Sequence, residues 1–212
     1  MHRGRRKVEN PETARRILVA AEKIFAEHGL AGARTDAIAR AAGVNKAMLY
    51  YYFGSKTRLH HAVFENLFAQ ASRLIQAKTP VHASPRQAIT AFVDGYFDFR
   101  VAYPNYARLM QQVMVQSPDQ AQWLARKYFR PGHRQLSRLI KAAISKGQFQ
   151  RVDPDHAVLA ILAMIVFYFS GAPVHSVLLG RDALMPRAVA AHKRAVLDLL
   201  EHGLFRAPAR AQ

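Results

Sequence analysis

The chain has 212 residues, of which 50% are hydrophobic and 21% are charged, so a packed core is possible and wholesale disorder is excluded. Lysine and arginine number 31 against 14 acidic residues, and the net charge of +17 favours polyanionic partners such as nucleic acid. Cysteine is absent, which excludes disulfides, thiolate metal sites and a cysteine nucleophile. No apolar signal segment follows the basic N-terminus, and the longest apolar run, residues 157–169, is shorter than the roughly 20 residues that span a bilayer. These features predict a cytoplasmic protein.

Apolar residues recur at helical spacing almost throughout the chain, and no segment shows sustained two-residue alternation. The first helix begins after Pro11 and has its stop signal at His28-Gly29. Short helices are predicted to begin at Thr35 and after Asn45, and Ser55 caps a fourth helix that ends at about residue 78. Further helices are predicted at about 86–102, 105–116, 119–146, 154–170 and 186–203, and 171–186 is interpreted as a loop. The pattern predicts an all-α chain of about nine helices.

The segment from Thr35 to Tyr52 has the form helix, tight turn, helix, with Gly43 at a turn position that a bulkier side chain would resist. One face of the second helix carries a lysine, a small residue and two tyrosines, namely Lys46, Ala47, Tyr50 and Tyr51. Leu49 and Phe53 lie on the opposite face. The first face suits a DNA major groove, because a lysine and a small residue approach base edges and tyrosine hydroxyls reach phosphates. The alternative is that residues 50–53 are an aromatic packing cluster.

Residues 14–64 resemble the N-terminal DNA-binding domain of the tetracycline-repressor (TetR) family of bacterial transcription regulators. The shared elements are Ile17, Ala20-Ala21, Phe25, Gly29-Leu30, Thr35, Ile38-Ala39, Ala42-Gly43-Val44, Leu49-Tyr50-Tyr51-Tyr52-Phe53, Ser55-Lys56 and Leu59. The match covers about 50 of the 212 residues, and the rest of the chain is similar to the family only in helix number and length. The resemblance implies a helix–turn–helix domain at 11–56 and a helical effector-binding and dimerisation domain at 57–212. Residues 1–10, which are rich in arginine and lysine, are predicted to be a basic flexible tail.

The resemblance also implies which residues contact DNA: Thr35, Asn45, Lys46, Ala47, Tyr50, Tyr51, Tyr52 and Lys56. In the family pattern Thr35 caps the second helix and touches phosphate, and the positions of Lys46 and Ala47 face bases. Tyr50, Tyr52 and Lys56 correspond to phosphate contacts, and Tyr51 lies between the two roles.

Two positions depart from the family pattern. Asp36 occupies a position that is often basic and contacts a base, so Asp36 either faces away, reads a cytosine amino group or weakens this contact. Thr57 occupies a position where an acidic residue is common, so the usual capping carboxylate is missing.

The C-terminal body is expected, by resemblance, to bind a small-molecule effector and to form a homodimer. Residues 157–169 are apolar on all sides and are therefore expected to be buried all round. With the helix at 186–203 they are predicted to form a four-helix bundle with a second copy, and the alternative is an intramolecular core helix. Candidate effector-pocket residues are aromatic or methionine side chains, since pockets are apolar with a few polar groups: Phe68, Tyr96, Tyr103, Met110, Trp123 and Phe167.

Two basic segments lie outside the helix–turn–helix. The tail Arg3–Lys7 either lies in a groove as an arm or is a solvated extension. Arg126, Arg130, Arg134 and Arg138 recur every four residues, with no acidic residue between Asp119 and Asp153. This stripe is either a solvated face neutralised by acids such as Asp94 or Asp98, or an attractor for an anionic effector.

Together these features predict a ligand-responsive transcription regulator, a repressor that binds a palindromic operator as a dimer. The alternative is a basic architectural protein that coats DNA without a ligand. No catalytic constellation, metal-ligand spacing or cofactor motif is present in the sequence, so neither an enzyme nor a metal or cofactor site is predicted.

Overall fold

The computed structural model describes residues 10–204, so the tail Arg3–Lys7 lies outside the described residues. Between 10 and 204 every regular element is helical, as the sequence predicts. The elements are α1 (Pro11–Gly32), α2 (Thr35–Ala41), α3 (Lys46–Phe53), α4 (Lys56–Lys78), α5 (Pro85–Ala102), α6 (Asn105–Gln116), α7 (Pro118–Leu124), α8 (Arg130–Ser145), α9 (Pro154–Ser170), α10 (Ala172–Leu179) and α11 (Pro186–Gly203), with a π-helical segment, Ala125–Phe129, joining α7 to α8.

The described chain divides into two compact units. The first comprises 10–69 and 108–121, and the second comprises 70–107 and 122–204. In the first unit, α1 begins at Pro11 because the Asn10 side chain accepts hydrogen bonds from the backbone N–H groups of Glu12 and Thr13. The regular helical geometry of α1 breaks at Gly29 (φ 67°), within the stop signal predicted at His28-Gly29. The core of this unit consists of fully buried apolar side chains, among them Ile17, Ala21, Phe25, Ile38, Leu49, Leu59 and Phe64.

The second unit is built around a continuous apolar core from α5, α8, α9 and α11. Its most buried members include Ile89, Val93, Phe97, Ile140, Val158, Ile165 and Val196. Gly95 on α5 allows α4 and α5 to approach closely, because a Cβ at this position would lie 2.6 Å from Cα of Ile75. Lys78 on α4 also pairs with Asp94 and Asp98 of α5, at 2.7 Å to each carboxylate.

One expectation for the region after residue 153 is wrong, and a second is not met within a single chain. The segment interpreted as a loop contains α10, because Pro173 lies in the first turn, where a proline is tolerated. The helix expected to be buried on all sides, α9, is buried on one side only in the single chain: Ile161 is 4% exposed, but Leu159 is 53% and Phe167 is 69% exposed. Its composition is apolar all round, whereas the chain's own core covers only part of its circumference.

Among the described helices, none is by itself long and apolar enough to cross a membrane. The pair α9 and α10 meets the length and hydropathy requirement together, but the two helices meet at an angle of 80°.

Candidate functional site

The turn between α2 and α3 is fixed by backbone geometry and one side-chain cap. Gly43 adopts φ 64°, in the left-handed region that glycine tolerates, and the Val44 N–H donates to the Ala39 carbonyl at 3.0 Å. Asn45 then starts α3, because its Oδ1 accepts a hydrogen bond from the Met48 N–H at 2.8 Å. The tight turn and the Asn45 cap were both predicted, and both are confirmed.

The two faces of α3 differ in burial as the helical spacing predicts. Leu49 is fully buried and anchors the helix, whereas Lys46 and Ala47 are exposed and Tyr50 and Tyr51 are 41% and 47% exposed. Tyr52 and Phe53 are half-buried, and the Tyr52 ring lies edge-on to Tyr51 at 5.3 Å. The aromatic run is thus part packing and part surface.

The Asp36 carboxylate lies 3.0 Å from the Lys46 ammonium, and both side chains are about half exposed. An ion pair of this exposure contributes at most about 1 kcal/mol to stability. The larger consequence of this ion pair is electrostatic, because Asp36 neutralises Lys46, a cation on the face of α3 that a polyanion can approach.

Thr35 does not cap α2, contrary to the resemblance. The cap position is Arg34, whose extended backbone places its carbonyl 3.1 Å from the Ala37 N–H and 3.2 Å from the Ile38 N–H. Thr35 is therefore already the first helical residue, and no side-chain cap bond is formed at the N-terminus of α2. Arg34 itself is exposed and was not predicted as a DNA contact, although a cation beside the start of a helix is visible in the sequence.

The Lys56 ammonium is half-buried and donates to the carbonyls of Ala31 and Ala33, each at 3.1 Å. It satisfies carbonyl groups at the C-terminal end of α1, as a cation near a helix C-terminus does. Ser55 caps α4 as predicted, since its Oγ accepts from the Arg58 N–H at 3.1 Å. Arg58, an exposed cation in the same turn of α4, was not singled out from the sequence.

The six candidate pocket residues are divided between the two units. Phe68 and Met110 belong to the first unit, and the other four belong to the second. Tyr96 and Tyr103 both pack against Phe99, whose ring centroid lies 5.9 Å from that of Tyr96 and 5.3 Å from that of Tyr103. Trp123 is half-buried with the Lys127 ammonium 5.1 Å from its ring, whereas Phe167 is 69% exposed.

A polar cluster that the sequence did not reveal lies beside Tyr96. Arg100, near the end of α5, is only 3% exposed, and its guanidinium carbon is 5.0 Å from the ring centroids of both Tyr106 and Phe169. Desolvation lowers the pKa of Arg100 and raises the pKa values of Tyr96 and Tyr106. From the sequence, an arginine in the last turn of a helix resembles an ordinary surface cation, so no signal marked Arg100 as buried.

No group of three or more histidine, aspartate or glutamate residues between 10 and 204 is arranged to hold a metal ion.

Comparison with known proteins gives consistent matches along most of the chain. A family model of bacterial regulatory proteins, tetR family, matches residues 17–63, and a model of the tetracyclin repressor-like C-terminal domain matches residues 85–200. The chain is 30% identical to the HTH-type transcriptional repressor NicS of Pseudomonas putida over 207 residues, which are 96% of this chain and 97% of that protein.

Solved structures of transcription regulators are also similar to this chain. The putative transcriptional regulator SCO4942 of Streptomyces coelicolor is 27% identical with a TM-score of 0.67, over 92% of this chain and 99% of that one. The regulator FadR of Bacillus subtilis, solved in complex with stearoyl-CoA, is 20% identical with a TM-score of 0.71, over 88% of this chain and 96% of that one. The latter similarity shows the fold alone.

Proposed function

The chain belongs to the TetR family of bacterial transcription regulators, and on that basis we propose that it is a repressor that binds a palindromic operator as a homodimer and is released by a small-molecule effector. The observation that carries this proposal is the surface of α3. A glycine turn and an asparagine cap hold the helix, Leu49 anchors it, and its exposed face carries Lys46, Ala47, Tyr50 and Tyr51.

We assign the DNA contacts as follows. Lys46 and Ala47 approach base edges, the hydroxyls of Tyr50 and Tyr52 contact phosphates, and Tyr51 lies between these roles. Thr35 contacts phosphate from the first turn of α2, and Asn45 holds the start of α3. The Lys56 ammonium adds positive potential while it secures the end of α1.

The remainder of the chain is proposed to form the dimer and the effector site, with 1–10 as a basic tail, 11–56 as the DNA-binding domain and 57–212 as the regulatory domain. Exposed apolar residues on α9 and α11, such as Leu159, Phe167 and Leu199, support a two-fold interface between copies of these helices. The stearoyl-CoA complex of FadR from Bacillus subtilis supports a ligand-binding body in this fold.

The proposed mechanism requires only that the effector binds two conformations of the dimer with different affinities. In the dimer the two copies of α3 enter successive major grooves about 34–36 Å apart. An effector that binds more tightly to a dimer with a different separation shifts the population away from the DNA-binding state. Such a regulator acts in the cytoplasm, where operator DNA is found.

The test is selection of DNA from a random duplex library by the purified chain, followed by fluorescence anisotropy on the selected and a scrambled duplex at several salt concentrations. The proposal predicts a palindromic site bound at least about 10³-fold more tightly than the scrambled duplex. Equal affinity for both duplexes, with the same steep salt dependence, would instead favour an architectural protein without an operator.

A further inference from the structure

We propose that Arg100 is the anchor of an effector site for an organic monocarboxylate, an inference that rests on the proposed ligand-responsive function. The site comprises Arg100 with Tyr96 on α5, Tyr106 on α6 and Phe169 on α9, all within the second unit. A charge this deeply buried is costly unless it is paired, so the first question is what neutralises it.

Arg100 has no acidic partner among residues 10–204. The two aspartates on its own helix are occupied elsewhere: Asp94 pairs with Lys78 and Lys193, and Asp98 pairs with Lys78 at 2.7 Å. The polar groups that interact with the guanidinium are the hydroxyls of Tyr96 and Tyr106, which are neutral at pH 7 and whose pKa values burial raises further. A buried cation that interacts only with neutral groups can be neutralised by an anion that binds from outside the chain.

The geometry favours an anion that binds in the guanidinium plane. The rings of Tyr106 and Phe169 each lie 5.0 Å from the guanidinium carbon, and such ring contacts stabilise the cation without neutralising it. A carboxylate meets the N–H edge of arginine through two parallel hydrogen bonds, and adjacent tyrosine hydroxyls are suited to donate to the same oxygens.

The surroundings narrow the class of ligand. Within this cluster Arg100 is the one cation that the structure describes, which matches a single negative charge better than a phosphate dianion. Tyr96 stacks between Phe92 and Phe99 at 5.8 and 5.9 Å, and Phe99 continues to Tyr103. These rings offer apolar surface for the non-polar part of the ligand, and they include two of the pocket residues predicted from the sequence.

The test measures the thermal unfolding midpoint of the purified full chain with acetate, hexanoate, benzoate and phenylacetate, the corresponding neutral amides, and inorganic phosphate. The variants are Arg100→Met, Arg100→Lys, and Arg73→Met as a matched control, because Arg73 is an exposed arginine of the same unit. Circular dichroism checks that each variant is folded.

We expect at least one of the larger carboxylates to raise the Tm of the wild type and of Arg73→Met by several degrees, while its amide has no effect. Arg100→Met should abolish this shift and Arg100→Lys should reduce it, because lysine keeps the charge but loses the planar fork. Without ligand, Arg100→Met should melt at or above the wild-type temperature, since it removes an unpaired buried charge.

Equal shifts with acid and amide, a shift that survives in Arg100→Met, no carboxylate-selective shift, or a shift with phosphate alone would each overturn the proposal. A lower ligand-free Tm for Arg100→Met would show that the arginine is structural. Operator binding is measured separately. If the wild type shows no sequence-specific DNA binding, the regulator proposal is wrong. The carboxylate proposal is still decided by the unfolding temperatures alone.

Discussion

Lys46 and Tyr50 lie on the same exposed face of α3, but they are expected to contribute differently to DNA binding. Tyr50→Phe should weaken binding to selected and scrambled duplexes by a similar factor, because a phosphate contact carries no sequence information. Lys46→Ala should cost about 1–3 kcal/mol at particular base pairs and relax the preference there. Anisotropy with a set of single-base operator variants measures both effects. If neither substitution in a folded protein changed operator affinity, the assignment of this face to the major groove would be wrong.

Asp36 modulates the same face through its 3.0 Å ion pair with Lys46. Asp36→Asn should raise affinity for scrambled DNA several-fold and steepen its salt dependence, because the Lys46 ammonium is then free to approach phosphate. Stability should change by less than about 1 kcal/mol. Glu27→Gln, which makes the same charge change at an exposed position on α1, is the control. A loss of operator affinity confined to one C·G position would show instead that Asp36 reads a cytosine amino group.

The residues of this site also show what the sequence predicted and where it failed. The glycine turn, the Asn45 cap and the outward face of α3 follow from local backbone preferences and helical spacing, and these were predicted correctly. The partner of Asp36 depends on how α2 and α3 pack, and the partners of Lys56 depend on how α1 and α4 pack, which residue spacing along one helix does not encode. Arg100 was missed for the same reason.

At the scale of elements, His60 on α4 links helix packing to pH. It is 2% exposed, edge-on to Phe25 and Phe64 at 4.8 and 5.1 Å, and desolvation followed by the neighbouring His61 lowers its pKa to about 4. The unfolded chain therefore binds more protons at this position once the pH falls below about 6.5. Stability from neutral His60 is fully present above that pH and is lost as the pH falls towards 4, on the order of 2–3 kcal/mol.

The measurement is urea unfolding of the wild type, His60→Leu and the exposed control His82→Leu between pH 7.5 and 4.5. Relative to His60→Leu, the wild type should lose stability as the pH falls, whereas His82→Leu should follow the wild type. A stability difference between wild type and His60→Leu that stays constant over this pH range would show that His60 is not held neutral by burial.

The exposed side of α9 gives a prediction for the whole molecule. Leu159, Ala163 and Phe167 follow one another at four-residue spacing, and all three are exposed. Ile161→Glu would be a poor test of dimerisation, because Ile161 is buried in the core of its own chain and the variant would unfold. Leu159→Glu with Phe167→Glu should instead give folded monomers, and Val81→Glu, at a residue 93% exposed on a loop, should leave the dimer intact. Sedimentation velocity separates the two states, and an intact dimer for the double variant would place the interface on another surface.

The arginine stripe belongs to the second unit, with Arg126 in the π-helical segment and the other three arginines on α8. Its charge is not neutralised in the way the sequence suggested. Asp94 and Asp98 pair with Lys78 and Lys193, while Arg130, Arg134 and Arg138 are exposed and form no ion pair within residues 10–204. Like charges four residues apart destabilise a helix by about 0.2–0.5 kcal/mol per pair, so Arg130→Ala with Arg134→Ala should slightly stabilise the protein.

If the stripe attracts an anionic effector, that double variant should slow the association of a carboxylate with the Arg100 site at low salt, since long-range steering acts on the association rate and is screened by salt. Operator affinity should remain nearly unchanged, because the helix–turn–helix lies in the first unit. Stopped-flow ligand binding at two ionic strengths, with anisotropy on the operator, measures both quantities. A loss of DNA binding as large as that caused by Lys46→Ala, in a folded protein, would instead identify the stripe as a second nucleic-acid surface, and the high positive charge of the chain would then serve DNA coating rather than effector capture.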